Sequence, residues 1–505
     1  MSATGNDSNS GLSPEKAWRT ATKVNRVAFA PGDRILFEGG ETFRGPIKLN
    51  AKDGGSAANP LILGSYRLEE AGPAIIMAHE ERGIDVYNTS GLCISDLKII
   101  GAGPKINRTS GILLHTSRSE GASHVTIENV EVSGFGKHGI SIGAWKSNKG
   151  YRNISITRTK THDNLRTGIL SWGPWGPHIY AHSKIYIGYC EADHMKGGSG
   201  ITLSSVDGAV IERSIAHHNG EEFSGAAGIW AWDSNNILIQ HNESYNNRTT
   251  GVDGDGFDFD GGVTNSVMQY NYSHDNDAAG YLLAQYPGAP QAMSNIIIRY
   301  NISENDCRKK GYGAIHLWNG EDVERMDGIH IYQNTIYLDS SLGGRPSAIS
   351  VASPAASIFV RNNLFYTSGG ETLVSVVPEQ EGILFQNNAY WSGSGVFHIN
   401  WKGDSFNCLK SWLDAAHDQE RIGSTILAIY ADPMLKDPGK GGTLRNSDLL
   451  VTLSAYQLQE NSPLIRRGLN LRDLGIDPGH YGFFGISVFE SIPPAIGANV
   501  RRPAL

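Results

Sequence analysis

"AGIWAWDS" (residues 227–234) and "DGFDFDGG" (255–262) are one phrase written twice: a small residue, a glycine, then alternating side chains. The phrase recurs as "HGISIGAW" from His138, "TGILSWG" from Thr167, "SGITLSS" from Ser199, "AGYLLAQY" from Ala279, "GAIHLWNG" from Gly313 and "SAISVAS" from Ser347. Successive glycines, or the alanines replacing them, are 24–34 residues apart. Between the copies a second phrase recurs ("NNILIQHN", "NSVMQYN", "NIIIRYN", "GIHIYQN", "SIFVRNN", "GILFQNN") and ends on Asn242, Asn271, Asn301, Asn334, Asn363 and Asn388. Alternation rich in β-branched residues reads as strand. Short strands repeating at this period, with no helical pattern between them, predict an all-β right-handed parallel β-helix whose coils cover one another's apolar faces. Asparagine tolerates left-handed turns, and stacked copies bond each other's backbones, so the six asparagines are predicted to form a structural ladder.

Working outward, residues 60–400 are assigned to the coils and to the chemistry. Residues 1–59 form an N-terminal cap with entry strands, and residues 401–505 a C-terminal helix with an extended tail. An open solenoid edge needs cover. "SPEKAWRTATKVNRVA" (13–28) reads as an amphipathic capping helix with Ser13 at its N-cap and Glu15 in its first turn. A second helix is predicted to begin near Ser405. The net charge of −8 over 505 residues argues against a nucleic-acid partner. No run of eighteen apolar residues predicts a membrane span. The opening "MSATGNDSNSGLSPEKAW" has no charged start and no apolar core of a signal peptide. It reads as a mature secreted or periplasmic protein carrying a new start methionine. Cys93, Cys190, Cys307 and Cys408 form no CxxC, so neither a zinc site nor a disulfide framework is expected. The sequence does not specify an oligomeric state.

Strand residues alternate faces. If Ile140/Ile142, Ile229/Ala231, Phe257/Phe259, Tyr281/Leu283 and Ile315/Leu317 point inward, two columns point out. One reads Ser141, Leu170, Thr202, Trp230, Asp258, Leu282, His316, Ser350. The other reads Gly143, Trp172, Ser204, Trp232, Asp260, Ala284, Trp318, Ala352. Four tryptophans, two aspartates and a histidine on one outward face are what a sugar-binding surface uses: indole faces for C–H faces, carboxylates for the glycosidic bond. Asp258 and Asp260, two residues apart on a strand, start roughly 6.6–6.8 Å from each other. Inverting glycosidases hold their carboxyls about 6.5–9.5 Å apart, retaining ones about 5–5.5 Å. Mutual repulsion raises one pKa and makes that group the acid. His316 shares the column and is a candidate to orient substrate or take a proton. Asp253 and Asp255 are placed in the turn entering the strand.

The cap, the coils and the "ADPML…SPLI…FFG…IGA" tail together resemble the bacterial right-handed parallel β-helix family of the pectin-lyase-like superfamily, across nearly the whole chain. That resemblance implies the fold and a carbohydrate-active protein, since the superfamily holds polysaccharide lyases, glycoside hydrolases, epimerases and depolymerases. Asp255-Gly256 is similar to the Asp-Gly of the polygalacturonase "NTDG", where the aspartate takes part in hydrolysis. The next pair of acids in those enzymes falls here on Ala278 and Ala279, with Asp275 and Asp277 displaced. "DGF" (255–257), "SHDN" (273–276) and the position of His316 are similar to family 9 pectate lyases, whose calcium-binding pair again falls on Ala278 and Ala279. No cofactor is assigned. Asp255, Asp258, Asp260 and Asp277 supply the oxygen ligands that a calcium ion would take. Arg308, Lys309 and Lys310, with Arg166, are the basic groups a lyase would aim at a uronate. Glu221, Glu222 and Asp233 border the acids. Three readings stand. The first is inverting hydrolysis of a polysaccharide or oligosaccharide by Asp258 and Asp260, supported by Asp255. The others are β-elimination with His316 or a Lys/Arg as base, and a glycan binder without catalysis. Trp172, Trp230, Trp232, Asp233, Trp318, Arg308, Lys310 and Glu222 are the expected substrate contacts.

Overall fold

The structure is a computed structural model describing residues 1–320, 326–340, 343–489 and 493–500. Its contacts divide the chain into two compact units, Met1–Phe223 with Trp232–Asn235, and Ser224–Ala231 with Asn236–Leu505. Both are built from parallel coils, and the fold is an all-β right-handed parallel β-helix.

In the first unit, Ile47, Ile84, Ile112, Ile140, Ile169 and Ile201 sit in register on six successive parallel strands. All six are fully buried. Each glycine-led phrase thus delivers one isoleucine to a continuous inner stack, and burying such a side chain contributes about 1.5–3 kcal/mol. A second parallel ladder begins with Arg34–Glu38 against Leu61–Tyr66 and runs to Val206–Glu212. In the second unit an inner stack runs through Ile229, Phe257, Tyr281, Ile315, Ile349, Val374 and Ile399. The rings of Phe257 and Tyr281 stack with centroids 5.4 Å apart.

The asparagine ladder is present. Asn242, Asn271, Asn301, Asn334, Asn363 and Asn388 each donate from Nδ2 to the Oδ1 of the next at 2.9–3.1 Å. The buried Glu420 ends the series by accepting from Asn388 at 2.8 Å. Asn301 also donates to the Met268 carbonyl, and its Oδ1 accepts the Asn271 backbone N–H. Asn301→Ala leaves these groups unpaired in a dry corner. Because each buried unsatisfied group costs about 1–3 kcal/mol, a loss of about 3–5 kcal/mol is expected in denaturant titration. A loss under about 1 kcal/mol would show the ladder to be ornamental.

Two predicted helices are shorter than expected. The 13–28 segment forms a 3₁₀ turn at Pro14–Lys16 and a four-residue helix at Ala21–Val24. Asp7 accepts the Arg19 and Thr20 N–H groups, capturing donors that a continuous helix would use. The Trp18 indole donates to the Asn9 carbonyl, drawing the ring off any helical face. At the other end the helix is Leu409–Ala415, capped by Cys408. Ser405 lies instead in the strand Asp404–Phe406, which pairs antiparallel with Ile399–Trp401 and so covers that strand's edge. The tail then docks on the second unit through apolar packing around Tyr272, Tyr337 and Tyr456. Glu243 accepts backbone N–H groups of Leu444 and Arg445 there. No helix among the described residues is long and apolar enough to cross a membrane.

Candidate active site

In the second unit, strand register stacks Trp230, Asp258, Leu282, His316 and Ser350 in one column, with Ala284 and Trp318 paired in the next. These are the columns read from the alternation. Their surroundings differ from expectation. The face is outward from the coil but not open: Asp258 and His316 are each only 5% exposed, and Leu282 is buried. The Tyr312 ring stacks on His316 at 4.3 Å and packs with Ala279, Leu282 and Ala284. Trp230 is half-buried with its indole N–H unpaired, while Trp318 is 38% exposed. The acids therefore stand against an apolar wall, not in bulk water.

A bulge places them. Ala226 pairs with Asp253 and Ala227 with Asp255, leaving Gly254 as an extra residue at φ +95°, where a side chain would be strained. Asp255 is consequently part of the strand Asp253–Phe259 and fully buried, not a turn residue as expected. Its Oδ1 accepts the Ala279 N–H at 2.6 Å, and its Oδ2 has no partner among the described residues. Asp258 likewise has an unpartnered oxygen, Oδ1. Asp260 follows the strand's last residue. Its N–H donates to the Ala231 carbonyl and its Oδ1 accepts the Gly261 N–H.

Burial raises the pKa of each acid, and neighbouring carboxylates add to it at Asp255, Asp258 and Asp260. Asp255 and Asp258 lie well above the ordinary carboxylate range, Asp258 under the added repulsion of Asp260, Asp255 and Asp253. Asp260 is pushed to about 7. Asp253 reaches about 6, held back by Lys310. Beneath them Asp306, buried and at about 6, ends a second ladder, Asn247–Asn276–Asp306. Its signal stands in the sequence as "SYNN", "SHDN" and "SEND", which the first phrase overshadowed.

Burial lowers His316 to about 4, so the ring is neutral near pH 7. Its Nδ1 accepts the Gly313 N–H at 3.2 Å, which leaves the proton on Nε2. This imidazole offers a donor at Nε2, and the expected use of it as a proton acceptor requires it to give up the Gly313 bond. Arg308 is ion-paired to Asp275 at 2.9 Å, and Lys309 donates to the Thr249 carbonyl. Of the basic run, Lys310 bears on Asp253, and Lys309 lies 3.9 Å from an Asp277 carboxylate oxygen. Asp277, expected among calcium ligands, accepts from Arg248 and the Thr249 N–H instead.

The remaining expected contacts belong to the first unit. Trp172 donates to Ser141 at 2.9 Å and lies over Gly143, where an added Cβ would meet the ring at 2.0 Å. It meets Trp145 edge-on at 6.1 Å, and Trp232 meets Trp175 at 6.2 Å. Trp172 and Trp145, with Arg108, Lys137, His138 and Ser141, help to line a groove of about 740 Å³. Trp145 ends the 138–145 phrase and falls outside the two columns. Asp233 is buried and pushed to about 7. Glu222 is exposed, 3.6 Å from Lys196.

Residues 170–336 match the family model described as a right handed beta helix region. The chain is 25% identical over 503 aligned residues to the lacto-N-biosidase of Bifidobacterium longum subsp. longum, an alignment covering 77% of this chain. It spans only 30% of that protein's length. The crystal structure of the GH136 lacto-N-biosidase from Eubacterium ramulus superposes with a TM-score of 0.55 at 18% identity, covering 76% of this chain and 67% of that one. Its selenomethionine derivative gives 0.54. The inner isoleucine stack, the asparagine ladder and these likenesses agree on the fold, a right-handed parallel β-helix.

Proposed function

We propose that this protein is a glycoside hydrolase that cleaves a polysaccharide or oligosaccharide at the Asp258–Asp260 pair. The observation that carries this reading is two carboxyls at one strand end, both raised by burial, Asp258 further by the repulsion of Asp260 and Asp260 further by that of Asp253. Asp258, held towards its protonated form by burial and the neighbouring carboxylates, donates that proton to the departing glycosidic oxygen. Asp260, partly ionised near neutrality, takes a proton from the attacking water. Residues two apart on an extended chain start roughly 6.6–6.8 Å from each other, within the range that favours inversion. The Nε2–H of His316 and the unpaired N–H of Trp230 are donors for sugar hydroxyls, and Tyr312 with Leu282 keeps the local dielectric low. The lacto-N-biosidase relative supports hydrolysis over elimination, as does a histidine already committed as a donor. A polymer-degrading role fits action outside the cytoplasm.

The test is a panel of neutral and acidic glycans read in parallel for new reducing ends and for ultraviolet absorbance. Reducing ends without an absorbing unsaturated uronate are expected. Absorbing products would replace this reading with a lyase, and a bound glycan with no product would replace it with a binder.

A further inference from the structure

Three short strands of the first unit, Lys160–His162, Glu191–Asp193 and Ile215–His217, are successive rungs of one parallel ladder. The last two residues of each strand and the one after read "THD", "ADH" and "AHH". Register aligns Thr161 with Ala192 and Ala216, then His162 with Asp193 and His217. The next residues, Asp163, His194 and His218, all adopt positive φ at the same corner of their coils. Two adjacent columns, three coils tall, thus hold a histidine or an aspartate at all six positions. Rungs about 4.8 Å apart bring such side chains within reach of one another. None of the six belongs to the sheet that carries the tryptophan column.

At the centre of this grid, ligand atoms of Asp193, His194 and His217 lie within 4.8 Å of one another. The rings of His194, His217 and His218 form a triangle with centroids 5.0–5.8 Å apart. His194 is half-exposed and Asp193 buried, so the set has one open side and one fixed wall. We propose that Asp193, His194 and His217, with His218 alongside, form a binding site for a divalent transition metal of the zinc type. Imidazole with one carboxylate is a donor set that zinc, nickel and copper take, and magnesium or calcium does not prefer. Zinc bonds of about 2.0–2.2 Å require the ligands to close up by about an ångström, which long corner side chains permit. Lys160 reaches Asp193 at 3.2 Å and Glu191 at 2.8 Å, so its ammonium is the resident counter-charge with which a metal must compete. Glu191 in turn contacts the Nε2 of His217 at 3.3 Å, the outer partner that orients a ligating imidazole. Bound metal would clamp neighbouring coils together, far along the chain from the acids of the second unit.

The experiment uses the full-length, untagged chain, stripped with chelator, then titrated with Zn²⁺ by calorimetry and with Co²⁺ by visible absorption. One equivalent is expected, together with the Co²⁺ bands of a low-coordinate nitrogen–oxygen site. His194→Ala/His217→Ala is expected to weaken binding at least tenfold and remove the bands. Lys160→Met is expected to tighten binding several-fold by removing the competing ammonium. His194→Gln, at an exposed corner, serves where the double variant does not fold. Wild-type protein that binds no Zn²⁺ at 100 µM, or variants that bind as the wild type does with unchanged far-ultraviolet circular dichroism, would overturn the site.

Discussion

Asp258→Asn is expected to keep its fold and lose turnover by about 10³, since a positioned acid or base contributes roughly 10²–10⁴ in rate. Asparagine fills the same volume and, like the protonated aspartic acid it replaces, carries no charge, so the column of Trp230, Asp258, Leu282 and His316 repacks without strain. What it lacks is a proton to give. Asp260→Asn removes the other half of the pair and is expected to fall by a similar factor. The double variant should fall little further, because groups that act as a unit are not additive. Glycan affinity measured by tryptophan fluorescence should survive in all three. If either single variant turns over at more than a tenth of the wild-type rate on the true substrate, these aspartates are not the catalytic pair.

The fold was legible because its signal repeats. One isoleucine or aromatic per glycine-led phrase and one asparagine per following phrase gave the inner stack and the ladder, and register in the structure follows the alternation residue by residue. The columns of the site were legible for the same reason. Three features were not. Gly254 adds a residue to the strand and carries Asp255 inside, and no alternation rule announces a bulge. The cover over the column comes from Tyr312, whose position depends on how a loop folds back. The tautomer of His316 depends on a backbone N–H three residues earlier, a contact invisible in composition. At the N-terminus, Asp7 overrode an amphipathic pattern by taking two backbone donors. In each case a local contact outweighed periodicity.

The raised acids also fix a second expected result, in stability instead of rate. In the unfolded chain Asp258 ionises near the ordinary value of about 3.9. In the fold, burial and the neighbouring carboxylates keep it protonated well above that. Between those two values the native state holds the extra proton, so stability falls as pH rises through the window. His316 has the opposite sign. Its pKa is lowered to about 4 in the fold, so its contribution grows as pH rises from about 4 towards its unfolded value of about 6.5. The whole-protein profile therefore mixes opposing slopes, and subtracting a variant isolates one of them. Asp258→Asn keeps His316, Asp253 and Asp260 but has no Asp258 proton to lose. It should match the wild type near pH 4 and become the more stable protein as pH rises, with a difference growing by up to about 1.4 kcal/mol per pH unit before levelling off. Urea titrations of both proteins between pH 4 and pH 8 measure that difference. A gap independent of pH would mean that Asp258 ionises normally in the fold. A variant less stable at pH 8 would mean that its carboxylate is held there as an anion, which would make it a base and pass the acid's role to its neighbour.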